Sequence, residues 1–228
     1  MLLMGGQACV FYGAAEFSRD LDLVVLADHD NLERLRTALA DLAASPVAVP
    51  PFDFAHLARG HALHFRCTRE DVKGLRIDVM SNMRGVASFD DLWRRRTTIE
   101  VDGETIELLG FRDLVAAKKT QRSKDWPMIQ RLVEQVYFTS RDSAEQIDFL
   151  LRELRTPELL IELAGKHPET AQRLGRPAVE AALHSDIAAV EAALHEEEFA
   201  ERARDRAWWE PLKRELEQMR RDRRSSLP

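Results

Sequence analysis

Hydrophobic and polar residues alternate in several short segments of the first half of the chain, and this pattern predicts β-strands. The predicted strands cover residues 1–4, where every residue is apolar, and residues 20–27, 62–67, 75–80, 97–101 and 104–108. The third and fourth are joined by a short polar loop, as in a hairpin. The last two flank Asp102-Gly103, a dipeptide that favours a tight hairpin turn.

Hydrophobic residues recur every three or four positions elsewhere, which predicts amphipathic helices. The predicted helices cover residues 7–13, 31–44, 89–96, 111–122, 127–138 and most of 142–224. Residues 46–60 contain three prolines and are predicted to be mostly loop. Strands interleaved with helices, together with an antiparallel hairpin, predict an α+β fold with a mixed β-sheet. We expect a mixed-sheet domain flanked by helices over residues 1–138 and an all-helical C-terminal region over residues 139–228.

The composition is that of an ordinary globular chain, since 45% of the 228 residues are hydrophobic and 32% are charged. The net charge of −6 argues against a protein that coats nucleic acid through its overall charge, but it allows a local basic patch. The chain has no run of about 18 apolar residues that could span a membrane, and no signal segment opens it. We therefore predict a cytoplasmic protein with no membrane partner.

Two carboxylates at the start of the second predicted strand are the main candidates for chemistry. Asp20 and Asp22 are two residues apart, so they lie on one face of the strand, with Cα atoms about 7 Å apart. Leu21 and Leu23 point to the opposite face, toward a core. Oxygen ligands of this kind suit a hard cation, above all Mg²⁺.

Two further features strengthen this interpretation. Gly5-Gly6 precedes the first predicted helix, where glycines let a phosphate approach the backbone N–H groups. Asp78 lies within an apolar strand segment, where an unpaired buried carboxylate is costly. Asp78 is therefore either the third member of a charged site or the partner of a nearby arginine. Period-two alternation places Arg76 and Met80 on the same face as Asp78.

Gly5-Gly6-Gln7-Ala8, Ser18-Arg19-Asp20-Leu21-Asp22 and the later strand residue Asp78 resemble the nucleotidyltransferase superfamily, which has the polymerase-β-like fold. Within this superfamily, the motifs are similar to those of the bacterial minimal and AbiEii-like branches, and the similarity covers roughly residues 1–136. The resemblance implies Mg²⁺-dependent transfer of a nucleoside monophosphate from a nucleoside triphosphate such as ATP. The acceptor would be an RNA such as the end of a tRNA, a protein or a small molecule. These branches include toxins of toxin–antitoxin pairs, which implies an antitoxin partner.

The resemblance also implies roles for single residues. Asp20, Asp22 and Asp78 would be catalytic and would hold the metal, and Asp78 would help to activate the attacking hydroxyl. Gly5 and Gly6 would cradle the phosphates of the nucleotide.

Three basic residues are further candidates for nucleotide binding. Arg19 either reaches a phosphate or pairs with a carboxylate. Lys118 lies on the apolar stripe of the helix predicted over residues 111–122, and Arg122 follows four residues later. Lys118 either binds the triphosphate as a point charge or is a lysine at the domain edge with a buried stem. Asp125 is either a helix N-cap or a catalytic residue.

The main alternative is a protein with the same fold that binds a partner without transferring a nucleotide, as an antitoxin-like protein would. The three aspartates argue against it, because clustered carboxylates without a function lower stability. His56, His61 and His64 are close in sequence, but strand alternation places His61 and His64 on different faces. We predict that these histidines are surface or structural residues.

Overall fold

The computed structural model of the protein describes residues 1–47, 49–140 and 143–225. The chain forms two compact units. The first contains residues 1–117 and the end of the chain from residue 207, and the second contains residues 118–206. The predicted α+β fold with a mixed β-sheet and a C-terminal helical part is confirmed.

The first unit is built on a sheet that has seven strands among the described residues. Its elements are β1 (Leu2–Met4), α1 (Gly5–Phe11), β2 (Asp20–Val24), α2 (His29–Asp41), β3 (Ala44–Pro46), α3 (Phe54–Arg59), β4 (Leu63–Cys67), β5 (Arg76–Met80), α4 (Phe89–Arg94), β6 (Thr97–Val101), β7 (Glu104–Leu108) and α5 (Phe111–Lys118), whose last residue lies beyond the unit boundary. The strand order is β3-β4-β5-β2-β1-β7-β6. Strand β2 runs parallel to β5, and β1 runs parallel to β7, whereas the other neighbours are antiparallel.

One face of this sheet carries the hydrophobic core. Leu23, Ile77 and Val79 of the central strands belong to one buried cluster with Leu32 and Leu35 of α2. Helix α2 starts at an N-cap, because the Asp28 carboxylate accepts a hydrogen bond from the Asn31 backbone N–H at 2.8 Å. The leucines that recur every three or four positions along this helix, Leu32, Leu35 and Leu39, are the residues that it buries.

The Asp102-Gly103 turn joins β6 and β7 as predicted. Asp102 has φ +52° and Gly103 has φ +82°. Two left-handed residues in succession are what a two-residue hairpin turn of type I′ requires.

The segment predicted as mostly loop, residues 46–60, begins at the last residue of a short strand and contains a short helix. Strand β3 pairs with β4 at the edge of the sheet, where a proline such as Pro46 is tolerated. Helix α3 begins where the Asp53 carboxylate accepts the Ala55 N–H at 2.7 Å, and it ends at Gly60 with φ +98°. Both elements are too short to produce a periodic pattern, so the prolines dominated the prediction.

The second unit is helical. It contains α6 (Asp125–Ser140), α7 (Ala144–Glu153), α8 (Pro157–Lys166), α9 (Pro168–Leu174), α10 (Pro177–Leu183) and the first part of α11 (Ile187–Ser225). The predicted boundary after residue 138 lies inside α6. Ser185 at φ +54° separates α10 from α11. From residue 187, α11 is one continuous helix of 39 residues.

The last part of α11 belongs to the first unit. There Glu215 bonds the Nε2 atom of His61 at 2.9 Å, and His61 is fully buried. This histidine therefore has a structural contact. No helix among the described residues is both long and apolar enough to cross a membrane.

Candidate functional site

The three aspartates lie on one face of two adjacent parallel strands. Asp22 of β2 is directly opposite Asp78 of β5, and Asp20 is opposite Arg76. Alternate residues of a strand face the same side, so all four side chains share the face opposite the core. The sequence predicted that Asp20 and Asp22 share a face, and the register of the sheet adds Asp78 to them.

Gly5 is packed directly against Asp22. Strand β1 pairs Met4 with Asp22, so helix α1 starts beside this carboxylate. Gly5 has φ +66°, and a Cβ atom there would lie 1.9 Å from Asp22 Oδ2. The Gly6 backbone N–H donates to the same oxygen at 3.3 Å. The first glycine is therefore required by the position of Asp22 itself.

The loop before β2 is held against the start of α1. A Cβ atom on Gly6 would lie 2.5 Å from Ser18 Oγ. The Gln7 side-chain amide donates to the Ser18 carbonyl at 2.9 Å, and the Ser18 hydroxyl donates to the Asp20 carbonyl at 3.2 Å. Ser18 and Gln7 thus position the strand that carries the aspartates. No local sequence pattern predicts this role, because it depends on how the loop packs against Gly6.

Asp78 is paired within the site. It is 8% exposed, and its Oδ1 atom accepts from Arg76 Nε at 2.9 Å and lies 2.7 Å from His64 Nδ1. Burial has the largest effect on its pKa and raises it, but the hydrogen bonds and charges of His64 and Arg76 together lower the pKa below its usual value. Asp78 is therefore ionised at neutral pH. Both alternatives for Asp78 hold in part, since it faces Asp22 and also pairs with an arginine.

His64 is a site residue that the sequence analysis placed among the structural histidines. It lies directly opposite Asp78 in the antiparallel pair of β4 and β5. The signal that could have found it is the length of the hairpin loop, which sets this register.

Arg76 supplies a positive charge among the carboxylates. Its hydrogen bond with Asp78 raises its pKa most, and the charges of Asp78, Asp20 and Asp22 raise it further. The Arg76 side chain is 41% exposed. The protein thus offsets the repulsion between its three aspartates with its own guanidinium.

Among residues 1–47, 49–140 and 143–225, no group of three or more His, Cys, Asp or Glu side chains is arranged to hold a metal ion. The carboxylate oxygens present are nevertheless the type of ligand that a hard cation prefers. Asp20 and Asp22 offer carboxylate oxygens on one face, and Asp78 Oδ2 takes no hydrogen bond from a described residue. These three side chains are the ones that could hold Mg²⁺, with Arg76 as the competing charge.

The predicted nucleotide-binding residue Arg19 lies in the loop before β2. It is exposed, and its guanidinium carbon is 5.9 Å from the centroid of the Phe17 ring. Its role in binding a phosphate stays a prediction.

The other two predicted basic residues, Lys118 and Arg122, converge on Asp125 in the second unit. Lys118 Nζ is 3.3 Å from Asp125 Oδ1, and these side chains are 8% and 1% exposed. Arg122 Nε and the Thr120 hydroxyl both donate to Asp125 Oδ2. Burial acts most strongly on the Asp125 pKa and raises it, but Lys118, Thr120 and Arg122 lower the pKa below its usual value. Asp125 therefore organises a buried polar cluster, which sequence spacing alone did not show.

Comparisons with known proteins leave the family undecided. No protein-family model matches the chain, and a search of the curated proteins finds no match. Among solved structures, the chain is similar to an antigenic nucleotidyltransferase-like protein from Paracoccidioides brasiliensis, with 16% sequence identity and a TM-score of 0.37. The likeness covers 75% of this chain and 82% of that chain. Because it is this distant, the function has to be inferred from the site.

Proposed function

We propose that the protein is a Mg²⁺-dependent nucleotidyltransferase that moves a nucleoside monophosphate from a nucleoside triphosphate to an acceptor and releases pyrophosphate. The observation that supports this most directly is the register of β2 and β5, which brings Asp22 opposite Asp78 with Asp20 on the same face. Gly5 lies against this face at the start of α1. A set of carboxylates beside two glycines at the start of a helix suits a ligand that combines phosphates with a hard cation.

Each side chain has a proposed task. Asp20, Asp22 and Asp78 would hold the metal, which when bound neutralises phosphate charge. Gly5 and Gly6 would cradle the phosphates, as the resemblance implies, although Gly5 already packs against Asp22 and the Gly6 N–H already donates to it.

Arg76 and His64 position Asp78 through their hydrogen bonds to its Oδ1 atom. They hold that carboxylate ionised and leave its Oδ2 atom for a cation. Lys118 and Arg122 stay predicted triphosphate ligands, although both already pair with Asp125. An RNA, protein or small-molecule acceptor, and a role as a toxin, stay predictions from the resemblance.

The proposal is tested with nucleoside triphosphates labelled at the α-phosphate, incubated with Mg²⁺ and total RNA or cell extract. The purified protein should transfer label to RNA, to itself or to a second protein. Asp22→Asn keeps the acceptor for the Gly6 N–H but loses the charge, so transfer should be abolished. Asp30→Asn is the matched control, because Asp30 is an exposed residue of α2. If none of the four triphosphates gives more transfer with the wild type than with Asp22→Asn, the enzyme proposal is wrong.

A second candidate is a nucleotide-binding or partner-binding protein without transfer activity. The pairing of Asp78 with Arg76 and His64 favours it, because Arg76 already balances the aspartates without a metal. This candidate predicts that nucleotide binding, measured by calorimetry in EDTA, persists while label transfer is absent.

A further inference from the structure

A cavity of about 300 Å³ in the second unit is lined mainly by charged side chains. Five of them are cations and three are carboxylates. The lining comes from α7, α9 and α11 and from the segments that connect the helices. The cavity takes no part in the site proposed for nucleotide transfer.

Each lining carboxylate is already bound by one lining cation. The pairs are Lys119 with Glu153, Arg176 with Glu197 and Arg204 with Glu201. Arg152 forms a bidentate pair with Asp148 in its own helix. The remaining cation, Arg155, has only a long ion pair with Glu197, a carboxylate that Arg176 already binds.

Arg155 is largely buried and has unused donors. Its side chain is 10% exposed, and the guanidinium lies 4.6 Å from the centroid of the Trp126 ring. Of its N–H groups, Nη2 donates to the Leu194 carbonyl at 2.7 Å. Nη1 is 3.7 Å from Glu197 Oε2, beyond hydrogen-bonding distance. Neither Nε nor Nη1 makes a hydrogen bond to any described residue.

Arg176 increases the positive charge beside Arg155. Its guanidinium donates to both carboxylate oxygens of Glu197, so Arg155 shares this carboxylate with a closer cation. Burial lowers the pKa of Arg155 most and repulsion from Arg176 lowers it further, and the attraction of Glu197, Glu198 and Glu153 does not cancel these two effects. A buried guanidinium in this environment is stabilised by an added anion.

We propose that this cavity binds the phosphate group of a small phosphate monoester, with Arg155 as the main ligand. A planar guanidinium presents parallel N–H donors that match two phosphate oxygens. Cavities for small ligands begin at about 300 Å³, so the volume admits a small phosphorylated molecule. The carboxylate of Glu153 at the same cavity can accept hydrogen bonds from hydroxyl groups of the ligand.

The test is isothermal titration calorimetry of the full chain with inorganic phosphate, with AMP and with adenosine, at low ionic strength in EDTA. Phosphate and AMP should bind, and adenosine should not. Arg155→Gln should weaken the binding of both anions about tenfold or more, because it removes charge-assisted hydrogen bonds. Asp30→Asn, which changes an exposed residue of α2 in the first unit, should leave this binding unchanged.

Two glutamates of α11 provide a second test, in which no arginine of the cavity is replaced. Glu201→Gln removes a lining carboxylate and releases Arg204, so phosphate and AMP should bind severalfold more tightly. Glu210→Gln is the matched control, since Glu210 pairs with Arg214 on the same helix and does not line the cavity. The proposal is overturned if neither anion binds the wild type, or if a folded Arg155→Gln variant keeps wild-type affinity. If Arg155→Gln does not fold, equal affinities of Glu201→Gln and Glu210→Gln overturn it.

Discussion

The replacement Asp78→Asn tests how the protein holds three carboxylates on one face of its sheet. Asparagine keeps the shape of the side chain but removes its charge. The Asp78 side chain is 11% exposed, and its Oδ1 atom is bonded by both His64 and Arg76. Removing the charge weakens both interactions and leaves Arg76 among fewer negative groups. Relief of repulsion from Asp20 and Asp22 acts in the opposite direction.

The expected loss in the free energy of unfolding depends on how far the partners of Asp78 are exposed to water. A hydrogen bond to a charged group contributes about 1.5–3 kcal/mol. The full value does not apply to Arg76, because its side chain is 41% exposed and water can solvate it. We therefore expect Asp78→Asn to lower the free energy of unfolding in EDTA by about 2–3 kcal/mol. For a chain of this size each kcal/mol shifts the Tm by about 2–4 °C, so the Tm should fall by about 4–12 °C.

The assay is urea denaturation and thermal melting of the wild type and Asp78→Asn, in EDTA and in Mg²⁺, with Asp30→Asn as the control. Mg²⁺ should raise the Tm of the wild type, because a ligand of the native state stabilises it by mass action, and the rise should be smaller for Asp78→Asn. A variant in EDTA that is as stable as the wild type, or more stable, would refute the reasoning. Repulsion between the aspartates would then outweigh the pairing with Arg76 and His64.

Three other predictions follow from the same contacts. Gly5→Ala should abolish transfer and destabilise the protein more than Gly13→Ala. Both glycines have positive φ, but of the two only Gly5 would bring its new Cβ atom within 4 Å of another group, Asp22. Urea denaturation of the two variants therefore measures the effect of that clash. Lys118→Met should lower the free energy of unfolding by about 1–3 kcal/mol, since buried Asp125 loses one of its partners, and an unchanged urea midpoint would contradict this. The folded-state pKa of Asp125 is lowered, so its contribution to stability is complete above about pH 4 and is lost as pH falls through the folded pKa. Asp125→Asn should therefore make the acid limb of a stability–pH curve shallower, and an unaltered slope would count against the lowered pKa.

Local patterns in the sequence predicted a large part of the first unit. Period-two alternation located β4, β5, β6 and β7, and Asp102-Gly103 identified the turn between the last two. These predictions succeed because strand alternation and tight turns depend on residues that are neighbours in the chain. The same rule put Asp20 and Asp22 on one face without any knowledge of their surroundings.

Contacts between residues far apart in sequence determined the rest, and only the tertiary structure shows them. The parallel pairing of β2 with β5 brings Asp78 opposite Asp22, and the β4–β5 register brings His64 to Asp78. A shift of one residue in either register would turn these side chains to the other face, and no local pattern fixes the pairing of β2 with β5, which are far apart in sequence. The sequence by itself thus determined which residue types were available for a charged site. The pairing of strands decided that Asp78 meets both the other aspartates and the arginine that balances them.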